Sequence, residues 1–212
     1  MTQLAIFDLD GTLVDSRRDL ATAINALVRE LGAPPFSEEV VGNMVGEGAS
    51  VLVRRALAAA GLPEDTPGAL DRFLALYDEH LLDTTMPYEG IEPLLQTLSE
   101  RMRLAVLTNK PQAATDRVLS GLALDRFFAA VIGGDTAHGR KPDPAGLLHI
   151  LTTLGVVQDG AVLIGDSPID GETARRAGVR MYFAGYGFGY RPAPLAAHER
   201  HAGSPLDLAN LF

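Results

Sequence analysis

The chain has no cysteine among its 212 residues, and its apolar runs are short. Without cysteine, disulfides, thiolate nucleophiles and thiolate metal sites are excluded. No run approaches the roughly 18 apolar residues of a membrane-spanning helix, and the first residues enter an apolar segment at once, without the basic region of a secretory signal. The sequence therefore predicts a cytoplasmic protein that has no membrane partner.

Positive charge is scarce, and lysine is almost absent. Lysine and arginine total 18 residues against 27 aspartates and glutamates, so the net charge is −9. Because proteins bind nucleic acid through clustered lysines and arginines, nucleic acid is not an expected partner. Arginine is the ordinary cation here, and the two lysines, Lys110 and Lys141, each invite a specific explanation.

Residues 4–15, with the sequence LAIFDLDGTLVD, place two carboxylates directly after an apolar run. The run at residues 4–7 is typical of a strand buried on both faces of a parallel sheet. Asp8 and Asp10 are two residues apart, so their side chains point the same way in an extended chain. Paired carboxylates at the carboxyl end of a strand fit a hard cation with oxygen ligands. A strand end running into a solvated Asp-Gly turn explains these residues alone about equally well.

Residues 8–12, DLDGT, resemble the first motif of the haloacid dehalogenase-like superfamily, most of whose members are phosphohydrolases. The resemblance implies that Asp8 is the nucleophile and that Asp10 is the general acid/base. It also implies that both residues bind Mg²⁺, Asp10 through its backbone carbonyl.

Two later segments match the second and third motifs of that superfamily in order. Thr108 ends an apolar strand, and its hydroxyl and the backbone amide of Asn109 are expected to hold phosphate oxygens. Lys141 matches the lysine of the third motif, and the resemblance favours it over Lys110. A compact ammonium fits between a carboxylate and a phosphate where a planar guanidinium does not. An exposed loop lysine is the ordinary alternative.

Residues 165–171, GDSPIDG, resemble the fourth motif. The resemblance implies that Asp166 binds the metal directly and that Asp170 supports the metal through water and braces the lysine. An aspartate at the start of a helix ordinarily acts as an N-cap, and for Asp170 both roles are compatible.

Hydrophobic periodicity divides the chain into two parts. Residues 15–83 show four helical segments without a strand, whereas residues 84–212 alternate helices with short apolar strands. Repeated helix–strand units imply a doubly wound parallel sheet. We therefore predict an α/β fold in which residues 1–14 and 84–212 form the core domain. Residues 15–83 are predicted to form an inserted helical cap subdomain, as in the helical-cap class of the superfamily.

Local patterns predict the bounds of several elements. Ser16 is expected to cap the first helix, and Ser204 a closing helix at 204–211. The third helix of the insertion is expected to present Val51, Leu52, Arg55, Ala56 and Ala59 on one face. Strands are predicted at residues 4–7, 103–107, 130–133, 161–164 and 180–183, and a core helix at 145–154.

The cap segment at residues 46–57, GEGASVLVRRAL, resembles that of bacterial phosphoglycolate phosphatases, in which Gly-x-Gly precedes Leu-x-x-Arg-Ala-Leu. This resemblance implies that Gly48 and Arg55 meet the substrate. A loop at residues 186–190, YGFGY, also resembles theirs.

One residue departs from that subfamily, in which the middle position of Gly-x-Gly is often asparagine. Here it is Glu47, whose carboxylate would repel a small dianionic acid if the turn lay over the leaving group. Arg54 or Arg55 would offset this repulsion. If the turn lies there, replacing Glu47 with asparagine is expected to favour phosphoglycolate.

The combined resemblances imply a Mg²⁺-dependent phosphomonoesterase that acts through an aspartyl-phosphate on a small metabolite, with 2-phosphoglycolate as the best match. Sugar phosphates, nucleotides and pyrophosphate are the alternative substrates within the family. A non-catalytic phosphate-binding or interaction protein on the same fold is the alternative from another class. A monomer or a homodimer is expected.

Overall fold

A computed structural model of the protein describes residues 2–189 and 194–212. The described residues form eight strands: β1 (Leu4–Phe7), β2 (Val14–Asp15), β3 (Met86–Pro87), β4 (Arg103–Leu107), β5 (Ala130–Ile132), β6 (Ala161–Gly165), β7 (Arg180–Ala184) and β8 (Glu199–Ala202). They also form nine α-helices: α1 (Arg17–Glu30), α2 (Glu38–Gly42), α3 (Ala49–Ala59), α4 (Ala69–Glu79), α5 (Ile91–Ser99), α6 (Gln112–Gly121), α7 (Ala145–Leu154), α8 (Pro168–Ala177) and α9 (Pro205–Ala209). Two short 3₁₀ helices lie at Asp125–Phe127 and Gln158–Gly160.

Six of the strands form one parallel sheet in the order β5-β4-β1-β6-β7-β8. β1 lies inside the sheet because all four of its residues are apolar and fully buried. Its side chains alternate between the two faces, so Phe7 packs into the cluster that contains α5 and Ile6 into the cluster that contains α7 and α8. Helices thus cover both faces, and the predicted doubly wound α/β fold is confirmed.

The first four helices lie between β2 and β3, which pair antiparallel and bring the two ends of the insertion side by side. Asp19 of α1 strengthens this junction. Its buried carboxylate accepts hydrogen bonds of 2.6–3.0 Å from the amides and hydroxyls of Thr84 and Thr85. The helical insertion is part of the observed fold, and the bounds of 15–83 for a cap subdomain stay a prediction.

Several local expectations are wrong, for identifiable reasons. Ser16 stands at the N-cap position of α1, but its hydroxyl donates to Asp10 Oδ1 at 2.6 Å instead of capping the helix. The buried face of α3 lies one residue further round the helix than predicted, because the apolar Leu57 is turned inward where Arg55 was expected. This face consists of Leu52, Val53, Ala56 and Leu57.

Three strands were not predicted. β2 and β3 have two residues each, too few to show a period. β8 reads Glu-Arg-His-Ala and is the edge strand beside β7, where three of its four side chains escape full burial. None of the helices in the described part of the chain has the length and hydrophobicity that a membrane crossing requires.

Candidate active site

The predicted site residues converge at the carboxyl ends of β1 and β6. These strands are neighbours, with Phe7 opposite Ile164. β4 and β5 extend the sheet on one side of β1, and β6, β7 and β8 extend it on the other side. Ligands of open α/β sheets bind at such a switch in strand order. Asp8 and Asp166, which follow the two strands, therefore face one another across it.

Lys141 joins this pair from the loop before α7. Its Nζ lies 2.8 Å from Asp8 Oδ1 and donates to Asp170 Oδ1 at 2.6 Å. Burial alone would lower the pKa of this lysine, but the neighbouring Asp170 and Asp8 carboxylates raise it above its ordinary value. The structure therefore holds a charged ammonium against the predicted nucleophile.

Three buried carboxylates form a group that fits a divalent cation. One carboxylate oxygen from each of Asp8, Asp166 and Asp170 lies within 4.8 Å of the others. Burial and then the charges of Asp8 and Asp170 raise the pKa of Asp166 well above its usual range. Burial also raises the pKa of Asp8 to about 6, despite the opposing effect of Lys141. A hard cation such as Mg²⁺, which prefers oxygen ligands, would relieve this repulsion.

Glycine residues allow the backbone to approach Asp166 closely. A Cβ on Gly11, which has φ +87°, or on Gly187 would overlap the Asp166 side chain. The amide of Gly189 donates to Asp166 Oδ2 at 2.6 Å. The glycine-rich loop thus lies directly against this carboxylate. Tyr190, which ends the loop segment singled out in the sequence, lies outside the described residues.

Asp170 is not the N-cap of α8, which is Ser167, but its carboxylate contacts that cap and also braces Lys141, while its support of a metal stays a prediction. Its Oδ2 accepts hydrogen bonds from the Ser167 amide at 3.0 Å and the Ser167 hydroxyl at 2.6 Å, as in a capping box. Its Oδ1 accepts from Lys141. The same carboxylate therefore fixes the start of the helix and orients the lysine.

The Asp10 side chain lies apart from the three-carboxylate group. Both of its oxygens accept hydrogen bonds from Lys110 Nζ, at 2.9 and 3.1 Å, and Ser16 donates to one of them. The expected metal contact of Asp10 is through its backbone carbonyl, and this stays a prediction. Sequence reasoning missed Lys110 as a site residue, although its being one of only two lysines was a usable signal.

Lys110 also connects the core to the helical insertion. Its Nζ donates to the hydroxyl of Tyr77 on α4 at 2.6 Å, and both side chains are buried. Burial alone would lower the pKa of Lys110, but Asp10 and Tyr77 raise it above its ordinary value. Burial raises the pKa of Tyr77 to about 12, so its hydroxyl stays protonated near neutral pH.

A cavity of about 370 Å³ lies between the core and the insertion. The predicted site residues that line it are Asp8, Asp10, Gly48, Thr108 and Asn109. The side-chain amide of Asn109 donates to the carbonyls of Gly46 and Lys141, both at 3.0 Å. Asn109 thus links the turn at residues 46–48 of the insertion to the loop that contains Lys141.

Arg55 and Glu47 contact each other, and the substrate contact expected of Arg55 stays a prediction. Arg55 is not among the residues that line the cavity in the described part of the chain. It forms an ion pair with Glu47 and donates to the Met44 carbonyl at 3.0 Å. Both charged side chains are about two-fifths exposed, at 41% and 38%. The charge of Glu47 is therefore offset by Arg55 at the surface, and Arg54 pairs separately with Glu64.

Comparisons with known proteins identify the family of the chain. The profile of the haloacid dehalogenase-like hydrolases matches residues 5–184. A phosphoglycolate phosphatase of Rhodospirillum rubrum is 44% identical over 200 residues, covering 91% of this chain and 83% of the relative. One from Pseudomonas putida is 39% identical over 195 residues, covering 90% and 72%.

Solved structures show the same fold over nearly the whole chain. The crystal structure of a predicted phosphoglycolate phosphatase from Haemophilus somnus superposes with a TM-score of 0.89 at 29% identity, covering 99% of this chain and 97% of that one. The chain belongs to the haloacid dehalogenase-like hydrolase family, as its four motifs predicted.

Proposed function

We propose that the protein is a Mg²⁺-dependent phosphomonoesterase that hydrolyses 2-phosphoglycolate through an aspartyl-phosphate on Asp8. The observation that carries this proposal is the buried Lys141 ammonium, 2.8 Å from Asp8 Oδ1, beside three carboxylates at the switch point of the sheet. The curated relatives at 39–44% identity, each named phosphoglycolate phosphatase, support the choice of substrate.

Asp8 is the nucleophile. Its free carboxylate oxygen attacks phosphorus in line, and the bond from phosphorus to the leaving oxygen breaks. Lys141 reduces the repulsion between this carboxylate and the phosphate dianion. The hydroxyl of Thr108 and the amide of Asn109 hold phosphate oxygens on the side of β4.

Asp10 handles the proton. It donates a proton to the leaving alkoxide, and it then removes one from the water that hydrolyses the aspartyl-phosphate. Ser16 and Lys110 fix the orientation of this carboxylate. To act as the base, the same carboxylate must still face the phosphorus after the alcohol has left. Its hydrogen bonds with Ser16 and Lys110 favour that orientation.

The metal would be held by Asp8, Asp166 and the backbone carbonyl of Asp10, with Asp170 in support. When bound, Mg²⁺ supplies positive charge that stabilises the negative charge on the transferred phosphoryl group. Asp170 is suited to an indirect role at the metal site, because both of its oxygens already accept hydrogen bonds within the protein.

A cavity of about 370 Å³ suits a small-molecule ester better than a macromolecule, and the net charge of −9 disfavours nucleic acid. The cytoplasmic location and the state of monomer or homodimer are further parts of this proposal. Gly48 and Arg55 are its expected substrate residues in the cap, and Gly48 has the stronger case because it lines the cavity.

The test is phosphate release by the purified protein from a panel of 2-phosphoglycolate, sugar phosphates, nucleotides and pyrophosphate, with Mg²⁺ present. We expect the highest kcat/KM for 2-phosphoglycolate, loss of turnover with EDTA and recovery on adding Mg²⁺. Asp8→Asn should abolish turnover while the melting temperature stays close to that of the wild type. Substantial activity in Asp8→Asn, or activity indifferent to chelation, would refute the mechanism. A higher kcat/KM for another ester would refute the substrate.

A further inference from the structure

We propose that Lys110 binds the carboxylate of the leaving group and thereby determines the preference for 2-phosphoglycolate. This inference rests on the proposed function, because it concerns how the cavity recognises that substrate. Lys110 stands two residues beyond Thr108, lines the cavity and contacts Tyr77 of the insertion.

The distribution of charge in the cavity singles out Lys110. Among the described residues it is the one cation that lines the cavity, where the other charged side chains are Asp8, Asp10 and Asp78. Asp78 is paired with Arg117. Most of the remaining wall is apolar and includes Leu20, Val45, Leu52, Phe73, Leu74 and Leu81.

A carboxylate enclosed by such walls needs a charged partner, because an unpaired buried charge is strongly disfavoured. The nearby cations of the insertion are not suited to this role. Arg54 lies 3.5 Å from Glu64 and Arg55 pairs with Glu47, and the four side chains are 38–62% exposed. Lys141 is already between Asp8 and Asp170 at the phosphate end.

The position of Lys110 matches the length of the substrate. Its Nζ is 2.9 Å from Asp10 Oδ1, the group that in the proposed reaction protonates the leaving oxygen. In 2-phosphoglycolate the carboxyl carbon is two bonds from that oxygen, each about 1.5 Å. A cation in direct contact with Asp10 is therefore within reach of the carboxylate of a two-carbon leaving group.

Tyr77 holds this cation in place from the side of the insertion. Its hydroxyl accepts from Lys110 Nζ at 2.6 Å, and Nζ lies 4.6 Å from the centre of its ring. Tyr77 is itself stacked on Phe73, with ring centres 5.8 Å apart. The ammonium is therefore pre-organised, which lets it discriminate between leaving groups with and without a carboxylate.

The test compares kcat/KM for 2-phosphoglycolate with kcat/KM for 2-hydroxyethyl phosphate, which has the same two-carbon chain and a neutral end. In Lys110→Met we expect the ratio of the two values to fall by at least about tenfold, since a buried carboxylate loses its partner. Lys110→Arg, which keeps the charge, should retain more of the ratio. Arg54→Met is the matched control, and its ratio should equal that of the wild type.

The outcomes separate this inference from the proposed function. Equal losses on both substrates in Lys110→Met would overturn the inference and show that Lys110 acts only by orienting Asp10. An unchanged ratio in that variant, with a wild type that prefers 2-phosphoglycolate, would overturn the inference alone. A wild type without that preference would overturn the proposed substrate, and the role of Lys110 with it.

A binding measurement removes the dependence on turnover. The measurement uses calorimetry on Asp8→Asn and on the double variant Asp8→Asn/Lys110→Met. The added Lys110→Met should weaken the binding of 2-phosphoglycolate by at least about tenfold and the binding of 2-hydroxyethyl phosphate by much less. A melting curve for each variant shows whether it is folded. Equal weakening of both ligands in folded protein would contradict the inference.

Discussion

The two lysines of this protein are both buried, but the regions around them are built differently. Lys141 contacts Asp8, which follows β1, and Asp170, which lies in the first turn of α8. Lys110 contacts Asp10 of the core and Tyr77 of α4, an element of the insertion. The region around Lys141, proposed above as the phosphate end, is therefore completed within the core, whereas the region around Lys110, proposed as the leaving-group end, also needs the insertion.

This difference indicates how chemistry and selectivity are divided in the molecule. The phosphate end is dominated by charge, with three carboxylates and an ammonium that suit any phosphate ester. The other end is an apolar chamber with one cation. Changes at the first end should affect all substrates alike, and changes at the second should depend on the leaving group.

The largest effect is expected for Lys141→Met. Removing the ammonium should lower kcat by about 10²–10³-fold on every substrate, because it screens Asp8 from the phosphate. It also leaves buried carboxylates without a counterion, which should cost about 3–5 kcal/mol of unfolding free energy. Steady-state assays and urea unfolding in metal-free buffer measure the two effects. A loss confined to 2-phosphoglycolate would contradict the proposed division.

Asp10 lies between the two regions, so its substitution should show an intermediate pattern. Asp10→Asn removes the proton donor, and we expect a loss of about 10²-fold or more for alkyl phosphates. Aryl phosphates have good leaving groups and should be affected less in the first step. Stopped-flow assays with both kinds of ester measure this. Equal sensitivity to Asp10→Asn for good and poor leaving groups would argue against its role as the acid.

The smallest effect is expected for Glu47→Asn. The sequence suggested that this change would favour 2-phosphoglycolate, but Glu47 is paired with Arg55 at the surface. Exposed pairs are strongly screened by solvent, so the ratio of kcat/KM for 2-phosphoglycolate to that for a sugar phosphate should change by less than about twofold. Asp65→Asn, an exposed acid elsewhere in the insertion, is the matched control. A larger rise in the ratio would place Glu47 close to the leaving group.

Much of the core fold was predictable, and for a clear reason. β1, β4 and α7 have the predicted bounds because each is a continuous apolar or strongly amphipathic segment with a polar or glycine boundary. β8 was not predicted, since a polar edge strand lacks that pattern. The buried face of α3 was predicted one residue away from its observed position. Two neighbouring faces of a helix have the same spacing of residues, so the spacing alone does not show which of them is buried.

The sequence by itself determined the identity and order of the groups at the phosphate end. Asp8, Thr108 and Asp166 each follow an apolar strand. Parallel strands bring their carboxyl ends to one edge whatever the intervening segments do. Local pattern is therefore sufficient to gather these groups.

Only the tertiary structure decided what surrounds Asp10. The contact of Lys110 with Tyr77 spans 33 positions, and its contact with Asp10 spans 100. The contact with Tyr77 has no local signature, because it depends on the way the insertion packs against the core, whereas Asp10 and Lys110 follow the paired strands β1 and β4. The structure also shows two contacts that the sequence did not predict: Ser16 donates to Asp10 instead of capping α1, and Arg55 forms an ion pair with Glu47 without lining the cavity. A hydrogen bond between distant segments forms only where the packed chain brings its donor and acceptor to about 3 Å, and no residue spacing encodes that approach.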